Sequence, residues 1–133
     1  MTTTTTVQLP DFLLARIAED EEAARRAAFG YGAVWASEAD DGEDWSVVHA
    51  DGKRDMVGCE DGDVTQHVAR HDPARVLAEC DAKRRIVVAA EDYDNHPWGG
   101  IGDDDGWTAL EWALRVLALP YADHPDYDER WRP

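Results

Sequence analysis

The stretch from His67 to Val88 constrains the fold of this chain more than any other. Asp72 directly precedes Pro73, a pairing that opens a helix. An Asp carboxylate accepts from the free N–H groups of the first turn, and Pro fits the first helical position, where no N–H is needed. From there Pro73, Val76, Leu77, Cys80, Val87 and Val88 fall on one broad face at helical spacing, while Arg75, Glu79, Ala82 and Arg85 fall largely away from it. Lys83, Arg84 and Arg85 sit in the later turns, where cations complement the helix dipole. The stem of Arg84, near the apolar face, is placed to pack while its head reaches outward. This pattern predicts a helix from Pro73 to about Ala90. Val64 to His71 predicts a shorter one, capped by Asp63. Pro73 disfavours helical geometry at Asp72, so the two should meet at a corner.

The flanking segments fit around this element. Pro10 opens a predicted helix to about Ala28, with Leu9, Leu13, Ile17, Ala24 and Ala28 as its apolar stripe and Phe12 nearby. Asp20, Glu21, Glu22, Arg25 and Arg26 dominate its outer face, and Gly30 and Gly32 should end it. Between Tyr31 and Glu60 three short β-prone runs follow: Val34 to Ala36, Trp45 to His49, and Asp55 to Cys59. Asp41-Gly42 and Asp51-Gly52 separate them, and Asp-Gly is a strong turn signal. The reading is a three-stranded antiparallel meander with one face packed on the helices. Glu91 to Gly106 reads as a long loop. Trp107 to Leu119 reads as a third long helix, apolar on most sides and therefore largely buried or part of a homodimer interface. Pro120 stops it, and the aromatic tail from Tyr121 to Trp131 should fold back, with a short turn starting at Pro125. The fold class is α+β: three main helices plus short ones on a small sheet. Residues 1–8 read as a disordered tail and 9–133 as one domain.

Charge narrows the partners. The formal net charge is −16. It opposes direct contact with nucleic acid or an anionic membrane, since phosphates attract Lys and Arg, and it suits a basic protein partner. No stretch approaches a membrane span, and no basic start with an apolar run marks a signal peptide. With only Cys59 and Cys80 available, a cytoplasmic protein with free thiols is expected.

Candidate chemistry is sparse. His67 and His71 are four apart, hence on one helix face. With His124 they could hold zinc or another divalent ion, but two histidines supply only half of a tetrahedral set. The competing reading is structural, with His71 favoured by the dipole at a helix C-terminus. Asp103, Asp104 and Asp105 offer oxygen ligands, yet no EF-hand register starts at Asp92 or Asp103; Asp105 reads instead as a helix cap. Acidic neighbours disfavour a thiolate at Cys59, and Cys80 reads as core. Neither Ser37 nor Ser46 lies in a nucleophile elbow, and no phosphate-binding glycine loop is present. Trp98 is the aromatic residue best placed for a partner; Trp35, Trp45, Trp107, Trp112 and Trp131 read as core.

Three segments carry a family resemblance: Phe12 to Glu21, His67 to Val87, and Leu117-Ala118-Leu119-Pro120-Tyr121-Ala122-Asp123-His124-Pro125-Asp126-Tyr127 through Trp131-Arg132-Pro133. On these the chain resembles a family of small actinobacterial and actinophage proteins, domain of unknown function 6221. The resemblance implies no activity. Many members carry a Cys-x-x-Cys pair and a further Cys before the last helix, which would suggest a zinc knuckle; here Glu91 to Gly106 contains no cysteine.

The sequence thus points to a non-enzymatic interaction module. Its acidic rim (Asp40, Asp41, Glu43, Asp44, Asp61, Asp63) and the run from Asp103 to Asp105, with Trp98, would meet a basic partner by steering. Two alternatives stand beside it. One is a metal-binding domain or metal-dependent enzyme built on His67, His71 and His124. The other is an acidic mimic of DNA that blocks a nucleic-acid-binding protein.

Overall fold

The elements follow in the order α1 (Leu9–Tyr31), β1 (Trp35–Ala39), β2 (Trp45–His49), β3 (Asp55–Cys59), α2 (Gly62–Arg70), α3 (Pro73–Asn95) and α4 (Asp104–Ala118), with 3-10 turns at Leu119–Tyr121 and Glu129–Trp131. This α+β architecture comes from a computed structural model that describes residues 6–39, 44–49, 55–59, 61–95 and 104–133, with the side chains of 49, 55–59, 94–95 and 104–108 outside the description. Contacts divide the chain into two units, residues 1–18 with 81–133 and residues 19–80.

In the unit spanning 19–80, the sheet is antiparallel. β1 and β2 pair from Trp35 opposite His49 to Ala39 opposite Trp45. The β3 backbone runs along the other side of β2, and its register slips between Val47, opposite Val57, and Val48, opposite Asp55. Val47 and Val48 are both buried. Successive strand residues point to opposite faces, so the centre of β2 is covered on both sides.

Helix α2 packs on the sheet. Buried Thr65 is its anchor: its hydroxyl pairs with Ser37 Oγ of β1 at 2.7 Å and donates to the Gly62 carbonyl at 3.1 Å. The cap of α2 is Asp61, not Asp63; Asp61 Oδ1 accepts from the Asp63 N–H at 2.9 Å. Gly62, which follows the cap, lies against Trp45. A Cβ there would stand 2.6 Å from the indole, so a side chain at the helix start is excluded by the strand beneath.

The start of α3 agrees with the local chemistry and adds a connection. Pro73 has no N–H to satisfy. The Ala74 N–H donates to the Ala33 carbonyl at 2.9 Å, the Arg75 N–H to Asp72 Oδ1 at 2.9 Å, and the Val76 N–H to the Asp72 carbonyl at 3.0 Å. The exposed donors of the first turn are thereby all occupied. Asp72 Oδ2 accepts in addition from the Trp35 N–H at 3.1 Å, joining helix cap to strand start.

In the unit made of residues 1–18 with 81–133, Leu9, Phe12, Leu13, Ile17, Val87, Ala90, Leu114 and Ala118 are buried. The N-terminal stripe is as its spacing implies, and Arg16 joins it, only 8% exposed.

Several boundaries differ from expectation. Helix α1 passes through Gly30 and ends at Tyr31, just before Gly32, whose φ of 75° suits a residue without Cβ. Helix α3 continues to Asn95, and α4 starts at Asp104 with Gly106 inside it, so both ends of the expected 91–106 loop are helical. Residues 96–103 and the two Asp-Gly pairs lie outside the described residues. Val88 is exposed and not on the buried face of α3. Helix α4 is not largely buried either: Leu114 and Ala118 face inward while Trp112 is 59% exposed. Among the described residues no helix is long and apolar enough to cross a membrane.

Candidate functional site

The C-terminal tail makes a clasp around Phe12 of α1. Buried Phe12 meets the rings of Tyr121 (centroids 6.4 Å apart), His124 (5.6 Å), Tyr127 (6.0 Å) and Trp131 (5.0 Å). Most of these contacts are edge-to-face, which the ring quadrupoles favour. Tyr127 and Trp131 stand perpendicular to each other at 5.6 Å. The tail reaches this position through a turn in which the Tyr127 N–H donates to the His124 carbonyl at 2.9 Å, with Pro125 at the turn's first inner position. The turn therefore starts at Pro125, as its sequence suggests.

Arg16 lies beneath the clasp. Its guanidinium carbon is 5.2 Å from the Phe12 ring centre, a cation–π contact, and Nη1 is set against both ring nitrogens of His124, 2.7 Å from Nδ1. The Asp126 N–H also donates to that Nδ1 at 3.0 Å. The buried Tyr127 hydroxyl has no hydrogen-bond partner among the described residues.

Charge pairs finish the tail. Asp128 caps the last 3-10 turn, accepting from the Arg130 N–H at 2.9 Å, and holds the Arg130 side chain at 2.6 Å. Hydrogen bonds from Arg130 hold the Asp128 carboxyl below the usual range, and those from Arg132 do the same for Glu129. Each pairing raises its arginine in turn.

Trp131 also walls a cavity of about 240 Å³. Leu9 and Pro10 of α1, Ala90 of α3, and Leu110 and Leu114 of α4 supply its apolar sides. Glu111, Arg115 and Gln8 supply polar ones. Arg115 is fixed twice, to Glu111 Oε1 at 3.0 Å and to the Arg130 carbonyl at 3.2 Å. That arrangement ties α4 to the tail and leaves the second Glu111 oxygen outside the pair.

The sequence-derived candidates fall in several places. His67 and His71 are brought together, both exposed, with ring centroids 4.5 Å apart. His71 is the C-cap of α2, and its Nδ1 donates to the His67 carbonyl at 2.8 Å. His124, the expected third ligand, is engaged instead by Arg16 and the Asp126 backbone. Among the described residues no group of three or more His, Cys, Asp or Glu side chains could hold a metal ion. Trp98 and Asp103 lie outside the described residues, as do the side chains of Asp104, Asp105, Trp107 and Cys59. Asp104 and Asp105 are in the first turn of α4, so Asp105 is not its cap. Cys80 is buried, as its place on α3 implies, and its thiol is in no disulfide among the described residues. Trp35, Trp45 and Trp131 are half-buried, whereas Trp112 faces outward because the buried side of α4 is the Leu114–Ala118 side.

Two features went unread in the sequence. Arg16 lies between Leu13 and Ile17 on the apolar face, and that position was the available signal. Phe29, 96% exposed near the end of α1, falls just past the predicted helix end at Ala28.

No curated protein and no solved structure matches the chain. A family model, described as a family of unknown function (DUF6221), matches residues 6–133. The match covers nearly the whole sequence, and the chain belongs to the DUF6221 family.

Proposed function

We propose that this chain is a non-enzymatic interaction module that receives one anchoring side chain of a basic protein partner in the cavity beside Trp131. The observation that carries the reading is the cavity itself: apolar walls from Leu9, Pro10, Ala90, Leu110 and Leu114, an indole, and Glu111 among the lining residues, within a chain of formal charge −16. At about 240 Å³ it falls below the ~300–1,000 Å³ of sites that enclose a cofactor or drug-sized ligand. It has room for a single leucine-like or aromatic side chain. Flanking Lys or Arg residues would be drawn by the overall charge of −16, which raises the encounter rate more than the final affinity. Desolvated aromatic anchors dominate binding energy at such sites, and Trp131 is among the lining residues.

The test is a titration of isotope-labelled protein, followed by NMR, with short peptides carrying one central Leu or Trp. One set is flanked by Lys and Arg, the other by Asp and Glu. Shifts at residues 8–10, 90, 110–115 and 131 with the basic set alone, weakening as salt rises, support the reading. Equal shifts with both sets, or none with either, contradict it.

A further inference from the structure

We propose that His67 and His71 form a surface site for a divalent transition-metal ion of the copper(II) or nickel(II) type. The site uses two imidazoles and completes its coordination with water. It is independent of the cavity and does not involve His124.

Three observations lead there. First, the two rings are already adjacent, with centroids 4.5 Å apart on one face of α2. An ion about 2.0–2.1 Å from one nitrogen of each ring lies roughly 3.2 Å from each centroid. With one nitrogen of each ring turned to a shared ion at that centroid separation, the two bonds would meet near a right angle. That is the cis angle of tetragonal or square-planar coordination, which suits Cu(II) and Ni(II), and it is narrower than the tetrahedral angle zinc prefers.

Second, the tautomer of His71 is set. Its Nδ1 faces the His67 carbonyl at 2.8 Å, and a carbonyl only accepts. Nδ1 therefore carries the proton, and Nε2 of the neutral ring keeps its lone pair for a metal. Ligating histidines are typically oriented this way, by a backbone carbonyl on the other nitrogen. Neither ring nitrogen of His67 is bonded by a described residue, and both side chains are exposed.

Third, the field favours a cation. The site lies at the C-terminal end of α2, where the backbone carbonyls of the last turn carry partial negative charge. Exposed Asp63 is one turn back on the same face, and the chain as a whole is strongly acidic. Among the described residues, Arg70 and Arg75 are the cations next to the site in sequence. Arg75 is drawn off by Glu79 at 2.9 Å and reaches only the Arg70 carbonyl at 3.5 Å.

The experiment adds one equivalent of Cu²⁺ to the full chain and records pulsed EPR. Affinities for Cu²⁺, Ni²⁺ and Zn²⁺ are measured alongside. Two equatorial imidazoles and the order Cu²⁺ above Ni²⁺ above Zn²⁺ are expected. His67→Ala and His71→Ala should each weaken Cu²⁺ binding at least tenfold and leave one imidazole or none, while His124→Ala should leave both signals unchanged. Far-ultraviolet circular dichroism identical to wild type shows that the exposed substitutions keep the fold. An unaltered two-imidazole signature in His67→Ala, loss of binding in His124→Ala, or the absence of bound imidazole in the wild-type chain would overturn the assignment.

Discussion

The carboxylate of Asp72 accepts from the backbone N–H of Trp35 at 3.1 Å with one oxygen and from that of Arg75 at 2.9 Å with the other. One buried side chain thus starts helix α3 and fixes the first residue of strand β1. Asp72→Ala removes a helix cap, worth about 1 kcal/mol, and orphans a strand N–H, worth about 1–3 kcal/mol. The expected loss is about 2–4 kcal/mol in urea unfolding. Asp72→Asn keeps one acceptor oxygen and should lose clearly less.

Gly62→Ala places a methyl group 2.6 Å from the Trp45 indole. The ring must move, and overpacking of this kind costs about 1–3 kcal/mol. The change should appear both in the denaturation midpoint and in the fluorescence of Trp45. Gly62→Ala combined with Trp45→Leu, which removes the obstructing ring, should cost less than the sum of the two single changes.

The local signals were legible and the long-range ones were not. Asp72-Pro73 announces a helix because cap chemistry involves only neighbours in sequence. The choice between Asp61 and Asp63 as the cap of α2 was not decidable locally. Both are acceptors, and Gly62 must follow the cap because Trp45 lies beneath it. Glu91 to Asn95 contains nothing that breaks a helix, so α3 runs on through a segment whose polarity suggested loop. On α4 the apolar residues surround the axis, and periodicity could not say that Leu114 rather than Trp112 faces inward. The partnership of Arg16 with His124 spans 108 positions, and the cavity draws its walls from three helices and the tail. No spacing rule reaches that far.

Tyr127→Phe should be neutral or stabilising. The hydroxyl is buried with no hydrogen-bond partner among the described residues, while the ring keeps its contacts with Phe12 and Trp131. Removing an unsatisfied buried group recovers up to about 1 kcal/mol of its desolvation cost. Thermal unfolding of the variant beside wild type measures this directly; a clear drop in midpoint would show that the hydroxyl is bonded in solution.

The tail should loosen in acid. Asp128 and Glu129 are held below their ordinary values by Arg130 and Arg132. A carboxylate with a depressed folded value contributes stability above its unfolded value, and that contribution disappears as pH falls through the folded value. The window lies below about pH 4. Near-ultraviolet circular dichroism of the clasp aromatics should change there. Arg130→Gln combined with Arg132→Gln should shrink the tail's share of the change.

We propose that the cavity beside Trp131 takes an anchor from a basic partner. The most direct measurement is the affinity of one Lys- and Arg-flanked, Leu-anchored peptide for wild type and for Ala90→Leu, whose added carbons occupy the cavity. Binding to wild type should be salt-sensitive and should weaken at least about tenfold, or about 1.4 kcal/mol, in Ala90→Leu. Equal affinity for both chains would contradict it.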